Sequence, residues 1–118
     1  EWLSWESDAI TNVAKVRHYH RFREVDPAVM AYFQPLAEAS LDVIDTALIG
    51  REWLVGDHCT IADLGCWGRM VFMAEGGLEI DRWSNLKAWS ERITAMSGYD
   101  HPYTLIPKKD RAFDPTQE

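Results

Sequence analysis

The sequence predicts an all-α protein, a helical bundle of about four to five helices, and three observations support that prediction. Apolar residues recur at intervals of three and four positions in four successive stretches, as they do on one face of an α-helix. The connections between the stretches are short, and none of them alternates apolar and polar residues as a half-buried strand does. Apolar residues make up 47% of the 118 residues and charged residues 26%, a composition typical of a soluble chain with one core.

The first helix begins near the start of the chain and is expected to run to about Phe22. Its apolar positions share one helical face: Trp2, Trp5, Ala9, Val13 and Val16.

The second helix is expected to begin at Asp26 and Pro27. Asp can accept hydrogen bonds from free backbone N–H groups, and Pro fits the first helical turn. The apolar stripe continues up to Gly50 through Val29, Phe33, Leu36, Ser40, Ile44 and Leu48. Pro35 lies inside this stripe and removes one backbone hydrogen bond, so we expect the helix to be kinked there rather than divided.

The third helix is expected to begin after Thr60, at the end of a loop over residues 51–59. The face predicted to pack inward consists of Leu64, Gly65, Gly68, Val71 and Phe72. Two glycines on that face would let another helix approach closely. The helix is expected to stop at Gly76 and Gly77.

The fourth helix is expected to use Ser84 as its N-cap and to end at Gly98. Its inward residues are predicted to be Leu86, Trp89, Ile93 and Met96. We therefore predict a helical domain over residues 1–100 and a partly ordered tail over residues 101–118. The tail contains three prolines among mixed charges, so any helix in it should be short and its last ten residues should fray.

Thr60 and Asp63 have the spacing of a capping box at the start of the third helix. The Thr60 hydroxyl can accept from the backbone N–H of Asp63, and the Asp63 carboxylate can accept from the backbone N–H of Thr60. Both N–H groups would otherwise lack a partner in the first helical turn. Such boxes are common in helical proteins, so the box alone identifies no family.

A longer phrase around the box is more specific. Residues 53–64, WLVGDHCTIADL, resemble the buried capping-box segment of glutathione transferases. Residues 2–6, WLSWE, and residues 85–89, NLKAW, look like the bacterial members of that family. The chain is thus identified as similar to the C-terminal helical domain of the family. It begins inside a helix already under way, so we expect it to be part of a longer protein.

The resemblance implies a thioredoxin-like N-terminal domain that binds glutathione as co-substrate and supplies the residue activating its thiol. This chain has no βαβ pattern of that kind, so we expect it to hold no catalytic residue, to bind no cofactor by itself and to be inactive alone. In the parent protein it should form the wall that binds small hydrophobic electrophiles and much of a homodimer interface. By register with the family, the residues facing the substrate cleft are Trp5, Asp8, Ala9, Asn12 and Val16.

Asp8 is the candidate for a contact between subunits. In the family, the opening helix of one subunit can reach the glutathione site of the other, where a carboxylate can contact the γ-glutamyl amine. A solvated helix residue is an equally good interpretation of Asp8. Bacterial members often carry a His-Lys pair near the positions of Thr11 and Asn12, and this chain departs from that pattern.

Charge and composition argue against several other classes of function. The net charge of −7 disfavours nucleic acid and anionic membranes as partners, and the chain contains no apolar run long enough to span a bilayer. The basic and aromatic stretch over residues 15–23 is interpreted as a solvated helix face. Cys59 and Cys66 match neither a CxxC pair nor a zinc-finger spacing, so a reducing cytoplasm is the expected location.

Four alternative functions compete with a role as one half of an enzyme. His18 and His20 point to different sides of a helix, so we expect no metal site there. His58 beside Cys59 resembles a nucleophile pair, but the capping box already engages Asp63, the nearby carboxylate. A free-standing, non-catalytic protein–protein interaction module of the same fold is the main alternative, and a binding-only protein for hydrophobic ligands is a weaker one.

Overall fold

A computed structural model of the chain describes residues 1–106, and within that part all regular structure is helical. This confirms the all-α prediction. Helix α1 starts as an α-helix over Trp2–Trp5, passes through a π-helical turn over Glu6–Ile10 and continues as an α-helix over Thr11–Arg21. The other helices are α2 (Pro27–Ala47), α3 (Ile61–Met70), α4 (Ser84–Thr94) and α5 (Pro102–Leu105), with short 3₁₀ turns at Met73–Gly76 and Ile80–Arg82.

The π-helical turn brings a residue into the core that the sequence pattern did not predict. A π turn holds more residues than an α turn, so it rotates Ile10 onto the buried face, and Ile10 is fully buried. The turn is stabilised by side chains at the carbonyl of Ala9. That oxygen accepts from the Asn12 amide at 3.0 Å and from the Ser40 hydroxyl of α2 at 3.1 Å.

Helix α2 begins as predicted, because the Asp26 carboxylate accepts from the backbone N–H of Ala28 at 2.8 Å. It is a single element that continues through Pro35 and is not divided there. Beyond Pro35 the buried stripe consists of Ala37, Ser40, Leu41 and Ile44.

The core lies between α1, α2, α3 and α4. Trp89 is its largest fully buried side chain and packs edge-on against Trp67, with ring centroids 6.0 Å apart. Other members come from every part of the bundle, among them Val13, Leu41, Ile44, Leu54, Cys66, Met70, Leu86 and Ile93.

The predicted inward face of α3 is wrong. Ala62, Asp63, Cys66 and Met70 are the buried positions, whereas Leu64 is 50% exposed. The glycine argument holds at one of the two positions: a Cβ on Gly65 would lie 3.2 Å from the Leu3 side chain of α1, whereas a Cβ on Gly68 would meet nothing within 4 Å. The apolar pattern misled the prediction because the buried face contains a carboxylate.

The predicted cap of α4 is also wrong. Ser84 is the first helical residue and its side chain caps nothing. Asp45 of α2 takes that role from outside the helix, because its carboxylate accepts from the backbone N–H of Leu86 at 2.9 Å and from the Asn85 amide at 3.4 Å. Met96, predicted to point inward, is 40% exposed.

The predicted tail begins with helix α5, which is short as expected. Residues 107–118, including the ten expected to fray, lie outside the described part of the chain. The boundary near residue 100 stays a prediction. In the part of the chain that the structure describes, no helix has the length and apolar character of a membrane span.

Candidate functional site

Four of the five predicted cleft residues lie together on one side of α1. Trp5 is half-buried and meets the Trp2 ring edge-on, with ring centroids 5.3 Å apart. Ala9 and Asn12 are half-buried, and Asp8 is exposed. The Asp8 carboxylate has no partner among residues 1–106. The four therefore form a continuous surface in which Asp8 carries the charge.

Val16, the fifth predicted residue, is placed differently. Its exposed fraction is 0% and it belongs to the core cluster. It can therefore shape the surface above it only from beneath, by fixing how α1 packs on the bundle.

A separate pocket of about 180 Å³ lies between α1 and α3. Its deepest side chains are Val13 and Met73, which are almost fully buried. The residues around it are Val13, Ala14 and Arg17 from α1, and Gly68, Arg69, Phe72 and Met73 from α3 and the turn after it. The pocket combines an apolar floor with cationic side chains at its edge, the arrangement of a small-molecule site.

Arg17 stands at one end of the pocket and is held by several other side chains. Its Nε donates to Glu75 at 2.5 Å and one Nη donates to the Tyr103 hydroxyl at 3.1 Å. The Tyr103 hydroxyl donates in turn to Glu75 at 3.0 Å. The guanidinium also lies 4.2 Å from the centre of the Phe72 ring, a favourable cation–π distance.

Tyr103 attaches helix α5 to this end of the pocket. Its ring packs against Phe72 with centroids 4.8 Å apart. Burial, followed by the hydrogen bond to Glu75, raises the pKa of the Tyr103 phenol above its ordinary value. The phenol therefore stays protonated at neutral pH and keeps donating to Glu75.

Arg69 stands at the other edge of the pocket. Its Nε donates to Glu6 of α1 at 2.5 Å, and its side chain is 48% exposed. Within residues 1–106 its two Nη atoms have no hydrogen-bond partner. Glu6 and Glu75, the carboxylates that pair with the two arginines, do not line the pocket.

The capping box forms as predicted and extends further than its motif. Asp63 is fully buried, and one of its oxygens accepts from the backbone N–H of Thr60 at 3.0 Å. The other accepts from the backbone N–H of Leu54 at 3.0 Å and from the Trp89 indole at 2.8 Å. The Thr60 hydroxyl accepts from the backbone N–H of Ala62 at 3.3 Å and completes the cap. One carboxylate thus connects α3, α4 and the loop between α2 and α3.

A second, larger concavity of about 530 Å³ lies at the start of α1. Its apolar lining includes Leu3, Val55 and Ile61, which are exposed. Trp2 also lines it, together with the charged residues Glu1 and Arg51. The bundle therefore presents exposed apolar side chains where the chain enters α1.

Neither cysteine has the environment of an activated nucleophile. Burial, with smaller contributions from Glu6 and Asp63, raises the pKa of the Cys66 thiol to about 12. Burial, followed by the Asp63 charge, also raises the pKa of the Cys59 thiol. Both thiols are thus held in the less reactive, protonated form. His58 contacts Asp57 at 2.9 Å on the exposed loop instead of forming a pair with Cys59.

We predict that a disulfide reagent at mildly alkaline pH modifies Cys59 first and leaves Cys66 unmodified in the folded chain. The reason is that Cys66 is fully buried and its thiolate is scarce. The absorbance of the thiol released by the reagent measures how many cysteines have reacted. It should correspond to one cysteine in the folded chain and to two only after denaturant is added. The Cys66→Ala variant is the control, since it should lose that second equivalent alone; rapid modification of Cys66 in the folded protein would contradict the prediction.

The described part of the chain contains no group of three His, Cys, Asp or Glu residues that could hold a metal ion. His18 and His20 thus have no further ligand beside them within residues 1–106.

Sequence reasoning missed the pocket with its two arginines. Arg17 belongs to the basic stretch that the sequence predicts to be a solvated helix face, and Arg69 lies on a part of α3 whose predicted orientation is wrong. The signal available was the charge itself, since Arg69 interrupts an apolar helix between Gly68 and Met70. Its partner Glu6 is 63 positions away, and such a pairing has no local signature.

A family model described as "Glutathione S-transferase, C-terminal domain" matches residues 8–96. Among solved structures, a glutathione S-transferase from Xanthobacter autotrophicus Py2 is 30% identical, with a TM-score of 0.80 over 85% of this chain and 51% of its own. A possible glutathione S-transferase from Rhodopseudomonas palustris, at 19% identity, shares the fold with a TM-score of 0.81 over 98% of this chain and 52% of its own.

A curated relative is the "Disulfide-bond oxidoreductase YfcG" of Escherichia coli K12. It is 23% identical over 95 residues, which are 79% of this chain and 44% of that protein. The chain therefore spans about half the length of the proteins it matches.

Proposed function

Because the chain belongs to the glutathione S-transferase C-terminal domain family, we propose that it forms the substrate wall and part of the dimer interface of a glutathione transferase. The observation that carries this proposal is the pocket between α1 and α3. Its floor of Val13, Phe72 and Met73 is apolar, as a site for a small hydrophobic electrophile requires. The half-buried residues Trp5, Ala9 and Asn12 of the same helix are proposed as a further part of the wall.

The proposed role of this chain in the reaction is positional. Glutathione, the co-substrate, binds to a thioredoxin-like N-terminal domain, and that domain activates its thiol. An apolar wall then holds the electrophile beside the thiolate, which lowers the barrier by fixing the geometry of attack and by excluding water. The chain contributes no activating residue of its own, in keeping with the raised pKa values of both cysteine thiols.

The apolar concavity at the start of α1 supports the proposed partner domain. Leu3, Val55 and Ile61 are exposed there, and an adjoining domain would remove them from water. Helix α2 carries a second set of exposed apolar side chains, including Tyr32, Leu36 and Val43, which suits a homodimer interface.

The test compares this chain with its parent protein. The parent is expected to conjugate glutathione to an aryl halide such as chlorodinitrobenzene, and the 118-residue chain to show no conjugation above the uncatalysed rate. A second assay uses a glutathione mixed disulfide, since the E. coli relative is named as a disulfide-bond oxidoreductase. A parent protein inactive in both assays would reject the enzyme proposal in favour of the interaction module.

Asp8 provides a prediction for the intact enzyme. Its carboxylate is exposed and has no partner among the described residues, so it is available to the γ-glutamyl amine of glutathione in the other subunit. Asp8→Ala should raise the KM for glutathione by about fivefold and change kcat little, as expected for a lost surface charge pair. Steady-state kinetics at varied glutathione measure this. Asp100→Ala, which removes another exposed carboxylate, is the control, and an unchanged KM in Asp8→Ala would reject the contact.

A further inference from the structure

The pocket between α1 and α3 has a charge pattern that a purely hydrophobic site does not need. Its two charged lining residues within residues 1–106, Arg17 and Arg69, are both cationic. Their carboxylate partners, Glu75 and Glu6, lie outside the lining. The pocket thus faces solvent with a positive edge, although the whole chain carries a net charge of −7.

The two arginines differ in how much of their hydrogen-bonding capacity is used. Arg17 donates to Glu75 and Tyr103 and lies over Phe72, so its position is fixed on several sides. Arg69 uses only Nε, toward Glu6, and its Nη atoms are left for another acceptor. A guanidinium with two parallel N–H groups matches the geometry of a carboxylate.

The size of the pocket limits the ligand. A volume of about 180 Å³ accommodates one or two fused aromatic rings but not glutathione as well. Val13, Phe72 and Met73 would contact the ring, while an acidic group on it would reach the edge where Arg69 stands. Two neighbouring cations also disfavour a positively charged compound.

From these observations we infer that this pocket binds small aromatic carboxylates, with Arg69 as the residue that recognises the acid. The inference rests on the proposed function in one respect: it names the chemical class of electrophile that the wall selects. Arg17 acts as a positioning residue, because its bonds to Glu75 and Tyr103 hold the pocket end in place and add positive potential. Neutral aromatic compounds of the same shape bind more weakly.

The experiment titrates the 118-residue chain with naphthoate and with its neutral analogue naphthamide, followed by NMR chemical shifts of the backbone amides. Naphthoate should bind about tenfold more tightly than naphthamide, with the largest shifts around Val13 and Met73. Arg69→Gln should reduce the affinity for naphthoate about fivefold and leave that for naphthamide unchanged. Added salt should weaken naphthoate binding and leave naphthamide binding unchanged.

Arg82→Gln is the matched control. Arg82 is also a partly exposed arginine with one described carboxylate partner, Glu38, but it does not line the pocket. This variant should bind both probes as the original chain does. Thermal unfolding of both variants shows whether either substitution has disturbed the fold.

Each outcome decides a separate question. Equal affinities for the two probes, with shifts in the pocket, would overturn the selection of acids and leave the proposed wall standing. If neither probe binds, both the selection of acids and the assignment of this pocket as the wall are overturned, and the glutathione assays alone decide the enzyme proposal. Naphthoate binding that depends on Arg69, combined with a parent protein that fails both glutathione assays, would support the pocket and reject the transferase.

Discussion

Asp63→Ala is expected to lower the free energy of unfolding by about 4 kcal/mol, a large share of the 5–15 kcal/mol typical of a domain this size. The variant leaves three donors without their acceptor: the buried backbone N–H of Leu54 and indole N–H of Trp89, and the partly buried backbone N–H of Thr60. Each buried donor without a partner costs about 1–3 kcal/mol. Removing the desolvation of the carboxylate offsets only part of that sum.

Urea titration followed by far-UV circular dichroism measures the loss. Thr60→Ala removes the acceptor for the N–H of Ala62 and a long hydroxyl bond to Asp63 at 3.4 Å, and it should cost about 1 kcal/mol. The difference between the two variants separates the stability contributed by the helix cap from that contributed by the buried hydrogen bonds around Asp63. A loss below about 1 kcal/mol in Asp63→Ala would show that Asp63 does no more than cap α3.

Asp42→Ala is the matched control for the bond to tryptophan. Asp42 accepts from the Trp83 indole at 2.7 Å, as Asp63 does from Trp89, but Asp42 is exposed. Water can replace its carboxylate, so we expect a loss of no more than about 1 kcal/mol. The difference between Asp42→Ala and Asp63→Ala then measures what burial adds to the same pair of groups.

The capping box shows what a sequence can and cannot predict about this fold. The bonds between Thr60 and Asp63 join residues three positions apart, and the spacing predicted them correctly. The bonds from Asp63 to Leu54 and Trp89 depend on how a loop and a distant helix pack around α3. Because several donors satisfy its carboxylate, Asp63 can be buried on the core side of α3 although it is charged. A prediction that sorts residues by polarity then turns the helix the wrong way, as it did for α3.

The start of α4 illustrates the same limit. Ser84 is a good N-cap by residue type, and a local pattern cannot exclude it. In the structure the backbone N–H of Leu86 is accepted by Asp45, a residue 41 positions earlier in the chain. A cap from another helix satisfies the same donor equally well and leaves no signature near Ser84. The helix itself was nonetheless predicted correctly, because Leu86, Trp89 and Ile93 are all buried.

The candidate site was predictable only in part, for a related reason. The direction of α1 follows from its apolar spacing, whereas Trp5, Ala9 and Asn12 were predicted as cleft residues only from the resemblance to the family. The π-helical turn changes the register inside the helix and brings Ile10 into the core, which a fixed period of 3.6 residues cannot anticipate. The pocket between α1 and α3 needs α3 at a particular distance and rotation, so Arg69 could be placed in the site only from the tertiary structure.

Gly76→Ala is expected to lower the free energy of unfolding by about 2 kcal/mol, because Gly76 lies directly against the backbone of α1. A Cβ at this position would lie 3.0 Å from the backbone nitrogen of Arg17, 3.1 Å from the Cα of Arg17 and 3.2 Å from a methyl group of Val16. Two of these atoms belong to the backbone in the middle of a helix. They can yield only if α1 moves as a whole, so the packing between α1 and the turn at Met73–Gly76 must loosen.

Gly68→Ala is the control, and it is expected to change stability in the opposite direction. Gly68 lies inside α3, and a Cβ there would meet nothing within 4 Å, so alanine should stabilise the helix by about 0.5–1 kcal/mol. Thermal and urea unfolding measure both variants.

The two substitutions add the same methyl group. Changes of opposite sign in the free energy of unfolding would therefore separate the effect of close packing at Gly76 from the effect of helix propensity at Gly68. Equal and small effects would show that α1 does not approach the turn as closely as the distances indicate. Movement of α1 at Gly76 would also displace Arg17 from Glu75, the residue next to that glycine. Gly76→Ala should therefore weaken naphthoate binding together with stability, and this links the packing of one glycine to the shape of the pocket.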